Sequence, residues 1–128
     1  MAPGMRELVF PQVFLPRIEG HLEKVGFLDV TRDGVRYEGT FAAHVDRVGR
    51  LTRALRSELG VGHEDRFAVL AMNGHEFIEL YHAALFGAGI VVPLNIRFSA
   101  AELGYVLADA GTKVVFTDPV FVALVEQA

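Results

Sequence analysis

Two patterns of apolar and polar positions divide the chain. In the first half, apolar residues recur at helical spacing and predict one long amphipathic helix over about 41–59. Thr40 is a typical N-cap for this helix, and Gly60 stands where a left-handed C-cap is expected. The residues predicted to form its buried stripe are Val45, Val48, Thr52, Leu55 and Leu59.

The second half alternates short apolar runs with amphipathic segments. Residues 67–72 form an unbroken apolar run, which is typical of a parallel strand covered on both faces. Right-handed crossovers between such strands give a partial parallel sheet with flanking helices, a three-layer α/β fold. Further strands are predicted near 90–93 and 114–117, and helices near 75–86, 100–110 and 119–127. Each of these helices has a predicted N-terminal signal. Two are capping boxes, Asn73 with Glu76 and Ser99 with Glu102, and the third is the N-cap Asp118 followed by the first-turn Pro119.

A β-hairpin is predicted before the long helix, because residues 27–30 and 35–37 flank the strong turn pair Asp33-Gly34. Further upstream, Pro16 is predicted in the first turn of a short helix. We therefore expect an N-terminal arm, 1–26, followed by an α/β domain, 27–128. The apolar side of the short helix is predicted to contain Ile18, Leu22 and Val25.

Composition narrows the class of protein. The chain has 128 residues, 52% hydrophobic and 22% charged, which fits one globular domain. It contains no Cys, so disulfides, thiolate metal sites and Cys nucleophiles are excluded. Twelve Lys+Arg against sixteen Asp+Glu give a formal charge of −4, which disfavours a general nucleic-acid binder. No apolar run reaches about 18 residues and no secretory leader pattern opens the chain, so we expect a cytoplasmic protein that is not transmembrane.

His75, Glu79 and His82 are the candidate metal ligands of the sequence. They fall within one narrow wedge of the helix predicted over 75–86, and two imidazoles with a carboxylate suit zinc. However, the zincin pattern requires His where Glu79 stands, and the wedge lies opposite the apolar stripe of the same helix. We therefore interpret the wedge as a solvated polar face and expect no metal there.

Other chemistry-bearing residues fit structural roles better than catalytic ones. Residues 87–92 (GAGIVV) follow a helix and open a strand, the reverse of a dinucleotide fingerprint, and predict a tight turn. Ser57 lies inside a helix, Ser99 is a cap, and neither lies in a nucleophile elbow. From the residues alone we assign no catalytic, cofactor-binding or metal-binding residue. The long helix also has arginines at a spacing of three, which distributes them around the helix and predicts a solvated face. They are Arg47, Arg50, Arg53 and Arg56.

Several segments, in family order, resemble motifs of the adenylate-forming enzymes, the acyl-CoA synthetase superfamily. Residues 65–73 (DRFAVLAMN) resemble the family strand D-R-V-A-V-L-x-x-N, and residues 85–95 (LFGAGIVVPLN) closely resemble its second core motif. Residues 34–41 (GVRYEGTF) resemble the first core motif, although Arg36 replaces a small residue and Gly39 the usual Leu. The resemblance covers about residues 27–120. It continues through 99–103 (SAAEL) and 113–116 (KVVF).

The resemblance implies an enzyme that activates a carboxylic acid with ATP and Mg. An acyl-adenylate and pyrophosphate form first, and in the acyl-CoA ligases coenzyme A (CoA) then takes the acyl group. Residues 93–95 (PLN) are similar to the acyl-CoA ligase branch, which favours a fatty-acyl or related ligase. The family's phosphate loop, adenine motif, ribose-binding Asp, hinge and catalytic Lys have no counterpart in these 128 residues. The resemblance therefore assigns no catalytic residue to this chain.

Two interpretations follow. In the first, the chain is a truncated N-terminal portion of such a ligase, inactive alone, whose intact form uses a small carboxylic acid, ATP and CoA. In the second, it is a free-standing α/β interaction module. The chain ends within a predicted helix at 126–128 (EQA), which favours the first. On that interpretation open sheet edges and exposed apolar surface predict a homodimer or other self-association.

Overall fold

A computed structural model describes residues 10–128 as five α-helices and five strands joined by short turns. The helices are α1 (Phe10–Ile18), α2 (Phe41–Ser57), α3 (His75–Ala83), α4 (Ala100–Ala110) and α5 (Val122–Gln127). The strands are β1 (Val25–Thr31), β2 (Gly34–Thr40), β3 (Arg66–Leu70), β4 (Ile90–Pro93) and β5 (Thr112–Thr117). None of the helices in residues 10–128 is both long and apolar enough to cross a bilayer. The first nine residues of the predicted arm lie outside the described residues.

The predicted parallel sheet is confirmed. Strand β3 lies in the middle, and β4 and β5 pair with it in parallel on either side. Alternate side chains of β3 enter two separate cores: Phe67 and Val69 pack with α2 and α3, whereas Ala68 and Leu70 pack with α4 and α5. All four side chains are fully buried. The unbroken apolar run is thus explained by burial on both faces, and the fold has three layers.

Local capping follows the sequence at two helices. The Thr40 hydroxyl accepts a hydrogen bond from the Ala43 amide (3.1 Å) at the start of α2. Ser99 and Glu102 form the predicted reciprocal capping box of α4. These contacts fix where each helix leaves its preceding strand or loop.

The prediction that Asn73 caps α3 is wrong. The N-cap residue is Gly74, and no side chain of its own segment caps the helix. Instead, the His75 amide donates to the Asp29 carboxylate of β1 (3.1 Å). A tertiary contact therefore replaces the local cap, which is why the local sequence rule failed here.

The hairpin is confirmed, but its turn lies one residue earlier than predicted: β1 and β2 are antiparallel, Thr31 pairs with Gly34, and the turn residues are Arg32 and Asp33. The predicted short helix is wrong in detail. Pro16 lies near the end of α1, not in its first turn, and Leu22 and Val25 lie beyond α1, with Val25 in β1. Proline at this position removes one backbone bond of the last turn, and a 3-10 turn (Glu19–His21) follows.

Two further boundaries differ from the sequence expectation. Helix α2 ends at Ser57, so Leu59 lies outside it and is 45% exposed, although Gly60 has the expected left-handed conformation (φ 65°). The segment predicted as a helix over 119–127 begins as a 3-10 turn (Pro119–Phe121) before α5. Asp118 is the N-cap residue of this turn and Pro119 follows in its first turn, as predicted, but the Asp118 side chain makes no capping bond. Its carboxylate accepts the Met72 amide instead (2.8 Å) and so ties the ends of β3 and β5 together.

Candidate functional site

The three candidate metal ligands of the sequence lie in one region, between the β1–β2 hairpin and helices α2 and α3. We call this region the hairpin–helix interface. It contains every member of the candidate trio, but each side chain has a different partner. The residues of the interface are Asp29, Arg36, Tyr37, His44, Arg47, His75, Glu76, Glu79 and His82.

His75 joins the start of α3 to the hairpin. Its Nδ1 lies 3.0 Å from the Asp29 carboxylate, and its ring stacks on Tyr37 with centroids 3.8 Å apart. Asp29 also accepts a hydrogen bond from Nε of Arg36 (2.9 Å). The Arg36 hydrogen bonds, followed by the His75 hydrogen bond, lower the pKa of Asp29 from 3.8 to about 2. The carboxylate therefore stays ionised in the folded protein well below neutral pH.

Asp29, His75 and Glu76 place three potential metal-ligand atoms within 4.8 Å of one another. The guanidinium of Arg36 already lies among them, bonded to both carboxylates, with 2.7 Å from Nη2 to Glu76. A cationic side chain thus fills the position that a metal ion needs. We interpret this group as an ion-pair cluster that attaches the hairpin to α3.

Glu79 pairs with α2. It is only 5% exposed, and its two carboxylate oxygens accept from Nε (2.6 Å) and Nη2 (3.1 Å) of Arg47 in a bidentate pair. The Arg47 guanidinium also lies 5.7 Å from the centre of the Tyr37 ring. The bidentate pair and the Tyr37 contact therefore link α3, α2 and β2.

His82 pairs with His44. The two rings meet at 2.6 Å between Nε2 of His44 and Nδ1 of His82, and His44 is 4% exposed. Burial is the main cause that lowers the pKa of both imidazoles, that of His44 to about 4. Both rings are therefore neutral at physiological pH.

The expectation of a solvated polar face for His75, Glu79 and His82 is consequently wrong. This side of α3 packs against the hairpin and α2, and each side chain is buried or half-buried. The arginines of α2 also differ from a uniformly solvated face: Arg47 binds Glu79, and Arg56 donates to the Gly87 carbonyl (2.6 Å). Sequence analysis missed the partners Asp29, Arg36 and His44, because a polar residue that faces another element carries no periodic signal.

The remaining candidates have structural roles. Gly87 and Gly89 adopt positive φ values (93° and 124°) in the turn from α3 to β4, which confirms the tight turn. A Cβ on Gly89 would lie 2.8 Å from the Asp65 carbonyl, so this position also requires glycine for space. Ser57 donates to the Arg53 carbonyl within α2 (2.9 Å), and Ser99 caps α4.

An open cleft of about 450 Å³ lies beside the interface, between the hairpin, the start of α3 and the ends of β3 and β5. Its charged lining is three carboxylates, Asp29, Glu76 and Asp118, and one cation, Arg36. Such a cleft repels a triphosphate, and its acidic groups are already bonded within the chain. Among residues 10–128, this lining does not bring a nucleophile next to a base.

The chain matches the family model described as AMP-binding enzyme over residues 19–128. It is 37% identical over 93 residues to a long-chain-fatty-acid–CoA ligase of Thermus thermophilus, covering 73% of this chain and 17% of the relative. It is 32% identical over 110 residues to a 4-hydroxybenzoate–CoA/benzoate–CoA ligase of Rhodopseudomonas palustris, covering 86% and 19%. The chain therefore spans less than a fifth of the length of these curated relatives.

Solved structures give the same assignment. A putative long-chain-fatty-acid CoA ligase from Rhodopseudomonas palustris superposes with a TM-score of 0.81 at 28% identity, covering 93% of this chain and 29% of that chain. A benzoate CoA ligase from Burkholderia xenovorans shares the fold with a TM-score of 0.82 at 22% identity, covering 94% and 23%. The N-terminal domain of FACL13 from Mycobacterium tuberculosis gives 0.67 at 30% identity, covering 70% and 22%. The chain belongs to the AMP-binding, adenylate-forming enzyme family and corresponds to the N-terminal part of its acyl-CoA synthetases.

Proposed function

We propose that this chain supplies the N-terminal scaffold of an ATP-dependent acyl-CoA ligase. The intact enzyme would convert a carboxylic acid, ATP and CoA into acyl-CoA, AMP and pyrophosphate through an acyl-adenylate. The observation that carries the proposal is the family match over residues 19–128, together with relatives that are CoA ligases. A cytoplasmic location, where ATP and CoA are supplied, belongs to the same proposal.

We favour a fatty or related acid as the substrate. The relatives act on long-chain fatty acids in one case and on 4-hydroxybenzoate or benzoate in another, as their names state. The 93–95 segment (PLN) supports the acyl-CoA ligase branch over relatives that activate amino acids. The choice between aliphatic and aromatic acids depends on parts of the enzyme outside these residues.

The role assigned to residues 27–128 is structural. The cleft of the described residues does not fit a triphosphate, because its one cation, Arg36, is already bonded to the Asp29 and Glu76 carboxylates. The sequence also has no Ser/Thr/Gly-rich phosphate loop. Since charge on the transferred group needs preorganised donors and cations, we propose that this chain alone forms no acyl-adenylate.

Segment replacement tests the proposal. The matching 110 residues of the Rhodopseudomonas palustris 4-hydroxybenzoate/benzoate ligase are exchanged for the aligned part of this chain. We expect benzoate-dependent ATP–pyrophosphate exchange above a blank without acid, and loss of exchange when the replacement carries Phe67→Asp in its core. A folded chimera without exchange contradicts the scaffold role. Exchange by the 128-residue chain alone, with any of a panel of carboxylic acids, contradicts its inactivity.

Self-association of the chain is part of the proposal. Strands β4 and β5 are the two edges of the described sheet, and several apolar side chains are more than half exposed. Light scattering coupled to size exclusion is expected to show a dimer or larger species. A monodisperse 14.0 kDa monomer with a cooperative melt contradicts this and favours the free-standing module. The exposed apolar residues are Leu28, Val30, Val35, Met72, Tyr105 and Val120.

A further inference from the structure

The His44–His82 pair lies inside a cage of aromatic rings. Phe27 of β1 stacks on His44 with centroids 3.8 Å apart and meets His82 edge-on at 6.1 Å. The short contact between the two ring nitrogens (2.6 Å) requires one N–H donor and one bare nitrogen acceptor. A singly protonated pair keeps this hydrogen bond, because the neutral ring presents its bare nitrogen to the charged one. The contact is lost when both rings are protonated, and two cations then face each other in apolar surroundings.

Helix α1 covers this pair. Phe10 and Phe14 pack on the His82 ring, with centroids 5.0 and 5.7 Å away. Phe10 also reaches Phe86 (5.8 Å) beyond the end of α3. Helix α1 has nine residues with Pro16 inside, which is too short to be stable without tertiary contacts. Its position therefore depends on an apolar surface to which the neutral His82 ring belongs.

Few charged groups of the described chain act on the pair. From α3 the Glu79 carboxylate favours the protonated form of His44, and from α2 the Arg47 guanidinium disfavours it. These two side chains are paired with each other, so their opposite effects on the pKa of His44 largely cancel. Helix α1 and strand β1 present phenylalanines to the rings. Burial, followed by the charge of the other histidine, holds the pKa of His44 near 4.

We propose that the His44–His82 pair is an acid-sensitive latch, whose protonation releases α1 from α2 and α3 while the parallel sheet stays folded. The inference goes beyond the proposed ligase function and does not depend on it. Above about pH 6.5 the neutral pair holds α1 in place. As the pH falls from about 6.5 towards about 4, the open form binds more protons than the closed form, and the closed form loses its advantage.

The geometry predicts a measurable size for the effect. His44 packs on Phe27 and His82, so it contributes its full share only if release of α1 also exposes its ring. With its ordinary pKa of 6.5 then restored, the opening equilibrium constant rises about 10-fold at about pH 5.5 and about 30-fold at about pH 5, relative to pH 8. Protonation of His82, whose pKa is also lowered by burial, adds to this change.

Hydrogen exchange of the whole chain, corrected for the intrinsic pH dependence of exchange, tests the latch. Protection of the amides that donate within α1, those of Phe14, Leu15, Arg17 and Ile18, is expected to fall by up to about 30-fold between about pH 8 and pH 5. At about pH 5 this opening should not depend on denaturant, whereas exchange of β3 should follow global unfolding. A His44→Gln variant is expected to lose the share of the pH dependence that His44 carries and to keep the share of His82, whereas the exposed matched control His63→Gln is expected to keep the whole dependence.

Constant protection of residues 10–18, or an equal fall in His44→Gln, overturns the proposal. So does loss of α1 protection only together with global unfolding. If His44→Gln does not retain α1 at neutral pH, nuclear magnetic resonance titration of the wild-type histidines decides. A His44 ring that titrates well below its ordinary pKa, together with shifts of Phe10 and Phe14 at the same midpoint, supports the latch. A ring that titrates near 6.5, or phenylalanines that do not respond, contradicts it.

Discussion

The parallel sheet and the hairpin–helix interface are held together by different physics. In the sheet, Phe67, Val69, Ala68 and Leu70 are fully buried against apolar helices on both faces. At the interface, the contacts that attach the hairpin to α3 are ion pairs, a ring stack and a histidine pair. The free energy of apolar burial does not depend on pH and is non-directional. The polar contacts depend on the charge of each group and on the geometry of donor and acceptor.

The two regions therefore determine different properties of the scaffold. The sheet and its helices define the fold shared with CoA ligases of low sequence identity. The interface fixes how the hairpin lies on α3 through residues that include Arg36, a departure from the usual first core motif. We therefore expect substitutions in the sheet to abolish folding. We expect substitutions at the hairpin–helix interface to lower the free energy at which the hairpin, α1 or both open.

The largest effect is expected from Phe67→Ala. The ring is fully buried at the centre of the core between β3, α2 and α3, so its removal leaves a cavity. We expect a loss of about 3–5 kcal/mol in the free energy of unfolding, enough to unfold a marginal domain. Chemical denaturation measures it. The control Val120→Ala, at a side chain 74% exposed, should change stability by less than about 0.5 kcal/mol, and equal losses in both variants contradict the account.

A double-mutant cycle on Arg47→Met and Glu79→Gln should give the next largest effect. Because the carboxylate is buried and the pair is bidentate, we expect a coupling energy of about 1–2 kcal/mol. The matched pair is Asp46→Asn with Arg50→Met, an exposed i,i+4 contact in the same helix, expected to couple by about 0.3–0.5 kcal/mol. The same coupling in both cycles would show that the interface pair is only a surface contact.

Removal of the α4 cap is expected to have a smaller effect. Ser99→Ala removes the hydroxyl that accepts from the Glu102 amide and leaves the bond from the backbone amide of residue 99 to the Glu102 carboxylate, with an expected loss of about 1 kcal/mol by thermal or chemical denaturation. Ser57→Ala is the matched control, because that hydroxyl bonds only to the carbonyl four residues earlier in α2. A larger loss in Ser57→Ala than in Ser99→Ala contradicts the assigned role of the cap.

The smallest expected effect is a pH dependence of stability that arises at the hairpin–helix interface. Since the folded pKa of Asp29 is lowered from 3.8 to about 2, its stabilising contribution is present above about pH 4 and is lost as the pH falls towards 2. Melting temperatures of wild type and Asp29→Asn should therefore differ at about pH 6 and converge near pH 2. A difference that persists at the lower pH refutes the ion-pair explanation. Asp33→Asn, in the exposed hairpin turn, should leave the melting temperature nearly unchanged at both pH values.

The sequence predicts the sheet well because burial on two faces leaves a continuous apolar run at 67–70, and because caps such as Ser99 with Glu102 act within four residues. The predicted strand end at Met72 is wrong, since β3 ends at Leu70 and Met72 is 56% exposed. It predicts the interface poorly. Asp29 and His75 lie 46 positions apart, and His44 and His82 lie 38 apart, so no local spacing connects them. The polar wedge of α3 has the periodicity of a solvated face, and only the fold shows that the hairpin covers it.

Native-state hydrogen exchange in increasing denaturant at neutral pH tests the central contrast most directly. We predict that the amides of β3, 66–70, exchange only through global unfolding, with the largest opening free energy of the described chain. The hairpin amides, 25–40, should exchange through a separate opening of smaller free energy. Val69→Ala, at a fully buried side chain of β3, should lower the opening free energy of β3 and leave that of the hairpin unchanged, because the Val69 contacts persist while the hairpin alone is open. A single opening free energy shared by β3 and the hairpin, lowered equally by Val69→Ala, would contradict the account.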